Sequence, residues 1–195
     1  MVDLDNHPAK LIQFTLVGES NSGKTSLLLT YAAHGAFPID YTPSVADGIC
    51  THCCFQGHDF NLQLIDTCGA GDYLDMNRIA FVFGYPDIIL ICFSLVSPKS
   101  FQRIRTTYIP YLENYYPGIP YVLVGLKSDL REKESNETIK ISTSQGEEMK
   151  SIIGALAYIE CSSLSKDNVK EVFEAGFQIV FSGGYKLPRK QQNDC

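Results

Sequence analysis

The segment GESNSGKT, residues 18–25, constrains the fold of this chain more than any other part of it. It follows KLIQFTLV (10–17), rich in β-branched and aromatic residues, and it leads into TSLLLTYAA (25–33), a short helix pattern stopped near Gly35. Strand, glycine-rich loop and helix in that order fit the pattern G-x-x-x-x-G-K-[ST], which has a physical mechanism. Gly18 and Gly23 allow a tight loop, so the backbone N–H groups of Glu19, Ser20, Asn21 and Ser22 can surround phosphate groups. The helix start at Thr25 and Ser26 adds its partial positive charge. Lys24 would reach the β- and γ-phosphates, and the Thr25 hydroxyl would bind Mg²⁺.

Strands and helices alternate along the rest of the chain. CTHCCFQ and DFNLQLI read as a hairpin turning at Gly57-His58. DIILICFSL (87–95) and YVLVGL (121–126) are nearly continuous apolar runs, as expected of strands buried on both faces. Ser97-Pro98 opens a helix that Pro110 kinks or ends. ALAYIE (155–160) is a last strand. Val169, Val172, Phe173, Phe177 and Val180 mark one apolar face of a final helix, with Asp167 or Asn168 available to cap it. The pattern predicts a mostly parallel α/β sheet whose ligands bind beyond the carboxyl ends of its strands.

A chain of 195 residues with 45% hydrophobic and 19% charged residues suits one globular domain. A net charge of -6 and the lack of a long basic run argue against nucleic acid or an anionic membrane as a bulk partner. The opening MVDLDNHPAK carries acids where a secretory leader needs a basic end, and IILICFSLV is too short to span a bilayer. Seven cysteines, an odd number, predict reduced thiols in a cytoplasmic protein. In CTHCC (50–54), Cys50, His52 and Cys54 would share a strand face. No second pair lies at zinc-finger spacing, so small side chains on a half-buried strand is the better reading.

Three further strand ends carry candidate chemistry. Asp66 directly follows FNLQLI (60–65), where a P-loop protein needs an acid for Mg²⁺, although a solvated strand-end Asp would read the same. Gly69 leaves a bare N–H that could meet a γ-phosphate. In GLKSDL (125–130), Asp129 could accept two adjacent N–H donors of guanine, and the Lys127 stem could lie along the base or along the loop. In ECSS (160–163), Ser162 and Ser163 end the last strand, where the Ser163 N–H could meet the guanine carbonyl.

Taken in order, FPIDYTPSV, DTCGAGDY, ILICFSLVSPKSF, LVGLKSDLR and YIECSSLSKDNVKEVF resemble a Ras-superfamily small GTPase of the Rho/Rac branch, from about Lys10 to Phe181. The resemblance implies a P-loop NTPase G domain over residues 10–183, flanked by an N-terminal extension (1–9) and a C-terminal tail (184–195). It implies a six-stranded sheet with one antiparallel strand, helices on both faces, and binding of GTP or GDP with Mg²⁺. Phe37 would pack on the guanine edge, unless it is a core aromatic, and Tyr41 would cover the phosphates, unless it is a loop tyrosine. Ser44, in place of a threonine, would join Thr25 and Asp66 at the metal. Switches at 37–48 and 67–80 would meet effector proteins, with exchange factors as further partners. A monomer is expected, in the cytoplasm or peripheral at the plasma membrane or an internal membrane.

The departures from that pattern concentrate on hydrolysis. Ala70 stands where the family has the glutamine that orients the attacking water, Ser20 where it has glycine, and Cys68 where it has alanine. The Rnd branch departs at the same three places and is regarded as hydrolysis-defective. No catalytic group is therefore intact, and a switch held mostly with GTP is expected. The alternative is a cycling GTPase controlling cytoskeleton or membrane traffic, with Asp72 the nearest group to position a water. A scaffold without nucleotide is a third reading, which Lys24, Asp66, Gly69 and Asp129 oppose. Leu126 replaces a polar residue that buttresses the phosphate loop, and Ala46 and Ile49 replace effector-segment aromatics. The stretch 130–145 is short for a Rho-type insert helix. Cys195 ends the sequence with nothing after it, so either a prenylation box is lacking or the chain is shortened.

Overall fold

In the computed structural model, residues 10–33, 47–67, 84–133 and 140–182 are described. The strands are β1 (Lys10–Gly18), β2 (Asp47–Phe55), β3 (His58–Asp66), β4 (Ile88–Ser94), β5 (Tyr121–Leu126) and β6 (Ala157–Glu160). They form one sheet in the order β2-β3-β1-β4-β5-β6, parallel except for the β2–β3 pair. This is the mostly parallel six-stranded architecture expected from the sequence. The hairpin turns one residue earlier than expected, because Phe55 pairs with His58. Gln56 (φ 50°) and Gly57 (φ 79°) both take positive φ, as the tight turn of a two-residue loop requires.

The apolar alternation of the strands feeds two cores. On one face, Phe14, Leu16, Leu62, Leu90 and Val124 meet α1 (Lys24–Ala32) and the C-terminal helix α6 (Val169–Phe181) through Leu27, Phe173 and Phe177. Gly176 lets α6 close on Phe14, since a Cβ there would lie 2.4 Å from the Phe14 ring. On the other face, Val17, Ile89, Ile91, Phe93 and Leu123 meet α2 (Pro98–Arg103), α3 (Ile109–Tyr115) and α5 (Thr143–Ile153). A short helix α4 (Ser128–Lys133) follows β5.

Of the two outcomes expected at Pro110, a kink or an end, the helix does not end, but its regularity breaks just before the proline. The chain passes from α2 into a π-helical segment, Ile104–Tyr108, and resumes as α3 with Pro110 in its first turn, where the missing N–H costs little. Helix α5 starts at a capping box, Ser142 with Gln145. Asn168 takes a left-handed conformation (φ 54°) and its side chain caps nothing. Its Nδ2 donates instead to the Glu160 carbonyl at 2.9 Å, tying the start of α6 to the end of β6. Among the described residues, no helix is long and apolar enough to cross a membrane.

Candidate functional site

Because β1, β3, β4, β5 and β6 run parallel, their carboxyl ends share one rim, and the loops that leave this rim form the site. At Gly18 (φ 148°) a Cβ would stand 2.0 Å from the Cys92 carbonyl oxygen, so only glycine lets β1 end this close to β4. The loop then turns through Asn21 (φ 60°) and Gly23 (φ 112°), closed by the Ser22 N–H on the Glu19 carbonyl at 3.2 Å. The loop leads directly into the N-terminus of α1, where backbone N–H groups and the helix dipole favour anionic oxygens. Lys24 is only 5% exposed, and its Nζ donates to the Gly18 carbonyl at 2.9 Å and the Glu19 carbonyl at 3.0 Å. The ammonium is thus held inside the loop.

Asp66, also buried, lies beside this loop because β3 pairs with β1 at Leu16↔Asp66. The Thr25 hydroxyl donates to Asp66 Oδ2. Next to it the Thr67 hydroxyl donates to the Leu16 carbonyl at 2.8 Å, which pins the end of β3 in place. A hydroxyl and a carboxylate, both hard oxygen donors, fit Mg²⁺ rather than a soft metal. Beneath them the buried Cys92 thiol is pushed up to about 12 by desolvation, with Lys24 opposing and Asp66 adding to the shift. It is packing, not a nucleophile.

On the other side of the loop, Lys127 takes a positive φ of 63° and its Nζ donates to the Asn21 carbonyl at 2.7 Å. The Lys127 ammonium therefore ties the strand end to the phosphate loop. Ser162 is fully buried and its hydroxyl donates to Asp129 Oδ1 at 2.6 Å, while accepting the Ser165 N–H at 3.1 Å. Asp129 and Ser163 line a cavity of about 190 Å³ together with Gly23, Ser26, Leu126 and Lys127. Leu126 is 1% exposed and lines this cavity beside Gly23, with an apolar side chain where the family pattern has a polar one that buttresses the phosphate loop.

One contact at the site had no local sequence signal. Arg103, at the end of α2, pairs with Glu19 of the loop at 2.6 Å across 84 residues. Tyr108, in the π-helical segment, lies near the same pair, and burial and then Glu19 push its hydroxyl well above the ordinary tyrosine range. A π-helical irregularity beside a functional loop is a recurrent association.

Phe37, Tyr41, Ser44, Ala46, Cys68, Gly69, Ala70 and Asp72 lie outside the described residues, as does most of both expected switch segments. In CTHCC, Cys50 and Cys54 are exposed with His52 on one face of β2, and Cys53 points the other way. Among the described residues no group of three or more His, Cys, Asp or Glu side chains is arranged to hold a metal. Cys50, Cys53, Cys54, Cys92 and Cys161 are free thiols.

The model of the Ras family matches residues 13–181, from within β1 to the end of α6. With a match over most of its length and a P-loop at the carboxyl edge of a mostly parallel sheet, this chain belongs to the Ras family, whose P-loop domains bind GTP and GDP with Mg²⁺ and act as molecular switches.

Proposed function

We propose that this protein is a Rho-type GTP-binding switch that hydrolyses GTP slowly or not at all, and so signals mostly from its GTP-bound form. The observation that carries the reading is the contrast at the end of β3. Asp66 is buried and bonded to Thr25, while Ala70, four positions on, carries only a methyl group. Lys24 and the loop N–H groups of residues 18–26 would hold the phosphates. Thr25 and Asp66, with Ser44, would hold Mg²⁺, which when bound neutralises phosphate charge. The Ser162 hydroxyl orients the Asp129 carboxylate, which with the Ser163 N–H and Phe37 would read guanine. Gly69 would sense the γ-phosphate.

Hydrolysis needs a group that orients water at the γ-phosphate. Ala70 has no polar atom, and Ser20 and Cys68 would each add side-chain atoms where the family pattern has glycine and alanine. The switch segments 37–48 and 67–80 would then present a lasting surface to effector proteins, in the cytoplasm or at a membrane face, and the level of the protein would set the signal. Nucleotide released from freshly purified protein and identified by chromatography tests this reading. GTP is expected. GDP would replace it with a cycling GTPase acting on cytoskeleton or membrane traffic, and no nucleotide would remove the switch altogether.

A further inference from the structure

GESNSGKT carries one acid, Glu19, in a loop otherwise suited to anions. A carboxylate there repels the phosphates that Lys24 would meet. The two residues are close, since the Lys24 Nζ donates to the Glu19 carbonyl at 3.0 Å. The fold answers this charge from outside the loop. Arg103, the last residue of α2, sets Nη1 2.6 Å from Glu19 Oε2. Only 16% of the Glu19 side chain and 29% of the Arg103 side chain are exposed, so salt screens this pair less than a fully solvated one.

Arg103 is held in place by the end of β4. Strand β4 lies beside β1 with Gly18 opposite Cys92, which brings the end of β4 next to the start of the phosphate loop. The Ser94 N–H donates to Ser100 Oγ at 3.0 Å, and Ser97 caps α2 by accepting the Ser100 N–H at 3.3 Å. Arg103 follows three residues later on the same helix. Tyr108 faces the same pair, and burial and then the Glu19 charge keep its hydroxyl protonated, so it adds no second negative charge.

We propose that Arg103 is a specificity-determining residue: by cancelling the Glu19 charge, it lets the phosphate loop hold a nucleoside triphosphate in preference to the diphosphate. A triphosphate brings more negative charge than a diphosphate, so an uncompensated Glu19 penalises it more. The inference rests on the guanine-nucleotide binding of the switch reading above, but not on its slow hydrolysis.

The test uses the full chain with Mg²⁺ and measures how well GDP and β,γ-imido-GTP, which is not hydrolysed, displace a fluorescent GDP. The readout is the ratio of the two affinities. Arg103→Ala should shift this ratio toward GDP by at least roughly threefold, and Arg103→Lys, which keeps the charge, should recover most of the shift. Glu19→Gln leaves the Arg103 cation uncompensated and should shift the ratio the other way, toward the triphosphate. Adding Glu19→Gln to Arg103→Ala should recover most of the loss caused by Arg103→Ala alone. Both single variants break the same ion pair, so a purely mechanical tie would move the ratio in the same direction in both, or in neither. Either result overturns the inference and leaves the switch reading standing. A parent chain that binds neither nucleotide overturns both.

Discussion

Replacing Ser162 with alanine isolates one interaction that the site depends on. The Ser162 side chain is completely buried and holds the Asp129 carboxylate at 2.6 Å, while accepting the Ser165 N–H at 3.1 Å. A hydrogen bond to a charged group contributes about 1.5–3 kcal/mol. Asp129 is half-buried and can recover part of that from water, so the lower end applies, about 1.5 kcal/mol. Loss of Asp129 orientation falls on the bound state, and 1.5 kcal/mol corresponds to roughly a tenfold loss of guanine-nucleotide affinity. Most of it should appear as faster release, since affinity changes within one complex are mainly dissociation changes. The assay is the release rate of a fluorescent guanine nucleotide from the Mg²⁺-loaded protein, run beside thermal unfolding. Ser162→Thr keeps a hydroxyl and should restore most of the loss if the methyl is accommodated. Release by Ser162→Ala within twofold of the parent, with an intact fold, would refute the role given to this pair.

Other outcomes follow from individual contacts. Arg103→Ala breaks the tie between α2 and the phosphate loop, whose partners are partly shielded from solvent. It should cost about 1 kcal/mol, a fall of roughly 2–4 °C in Tm, and the gap should narrow in 1 M salt. Glu160 supplies a pH dependence. Burial alone would raise its pKa, but hydrogen bonds from Arg131, Tyr158 and Thr143 and the Arg131 charge outweigh burial and hold it below the usual 4.5. A depressed carboxylate stabilises the fold above its unfolded pKa and loses that contribution as pH falls through the lower folded value. The Tm gap between the parent and Glu160→Gln should therefore be widest above about pH 5 and shrink as acid protonates the carboxylate. A gap that grows in acid would reverse the sign of the argument.

The legible parts of this molecule were those with local signals. GESNSGKT fixed loop and helix start together, and the apolar runs of β4 and β5 announced buried parallel strands. The three-and-four spacing of Val169, Val172, Phe173 and Phe177 marked the buried face of α6. Helix α5 also carries a local signal, the capping box from Ser142 to Gln145. The turn sits one residue earlier than Gly57-His58 because Gln56 takes a positive φ, which glutamine seldom does. Pro110 does not end the helix, and the irregularity that proline signals takes the form of a π-helical segment immediately before it. At the site, the rim follows from parallel topology, so strand-end residues could be grouped from sequence. The bonds between them could not. Glu19 with Arg103 joins positions 84 apart and Ser162 with Asp129 positions 33 apart, and only the packed sheet brings them within reach.

The claim that most needs testing concerns Ala70. Single-turnover hydrolysis of pre-bound GTP, with Mg²⁺ present, measures it directly. The account predicts a rate well below about 3 × 10⁻⁴ s⁻¹, the slow intrinsic rate of Ras, and little stimulation by any partner that supplies an arginine. A rate at or above that value would contradict it and would mean that another group positions the water.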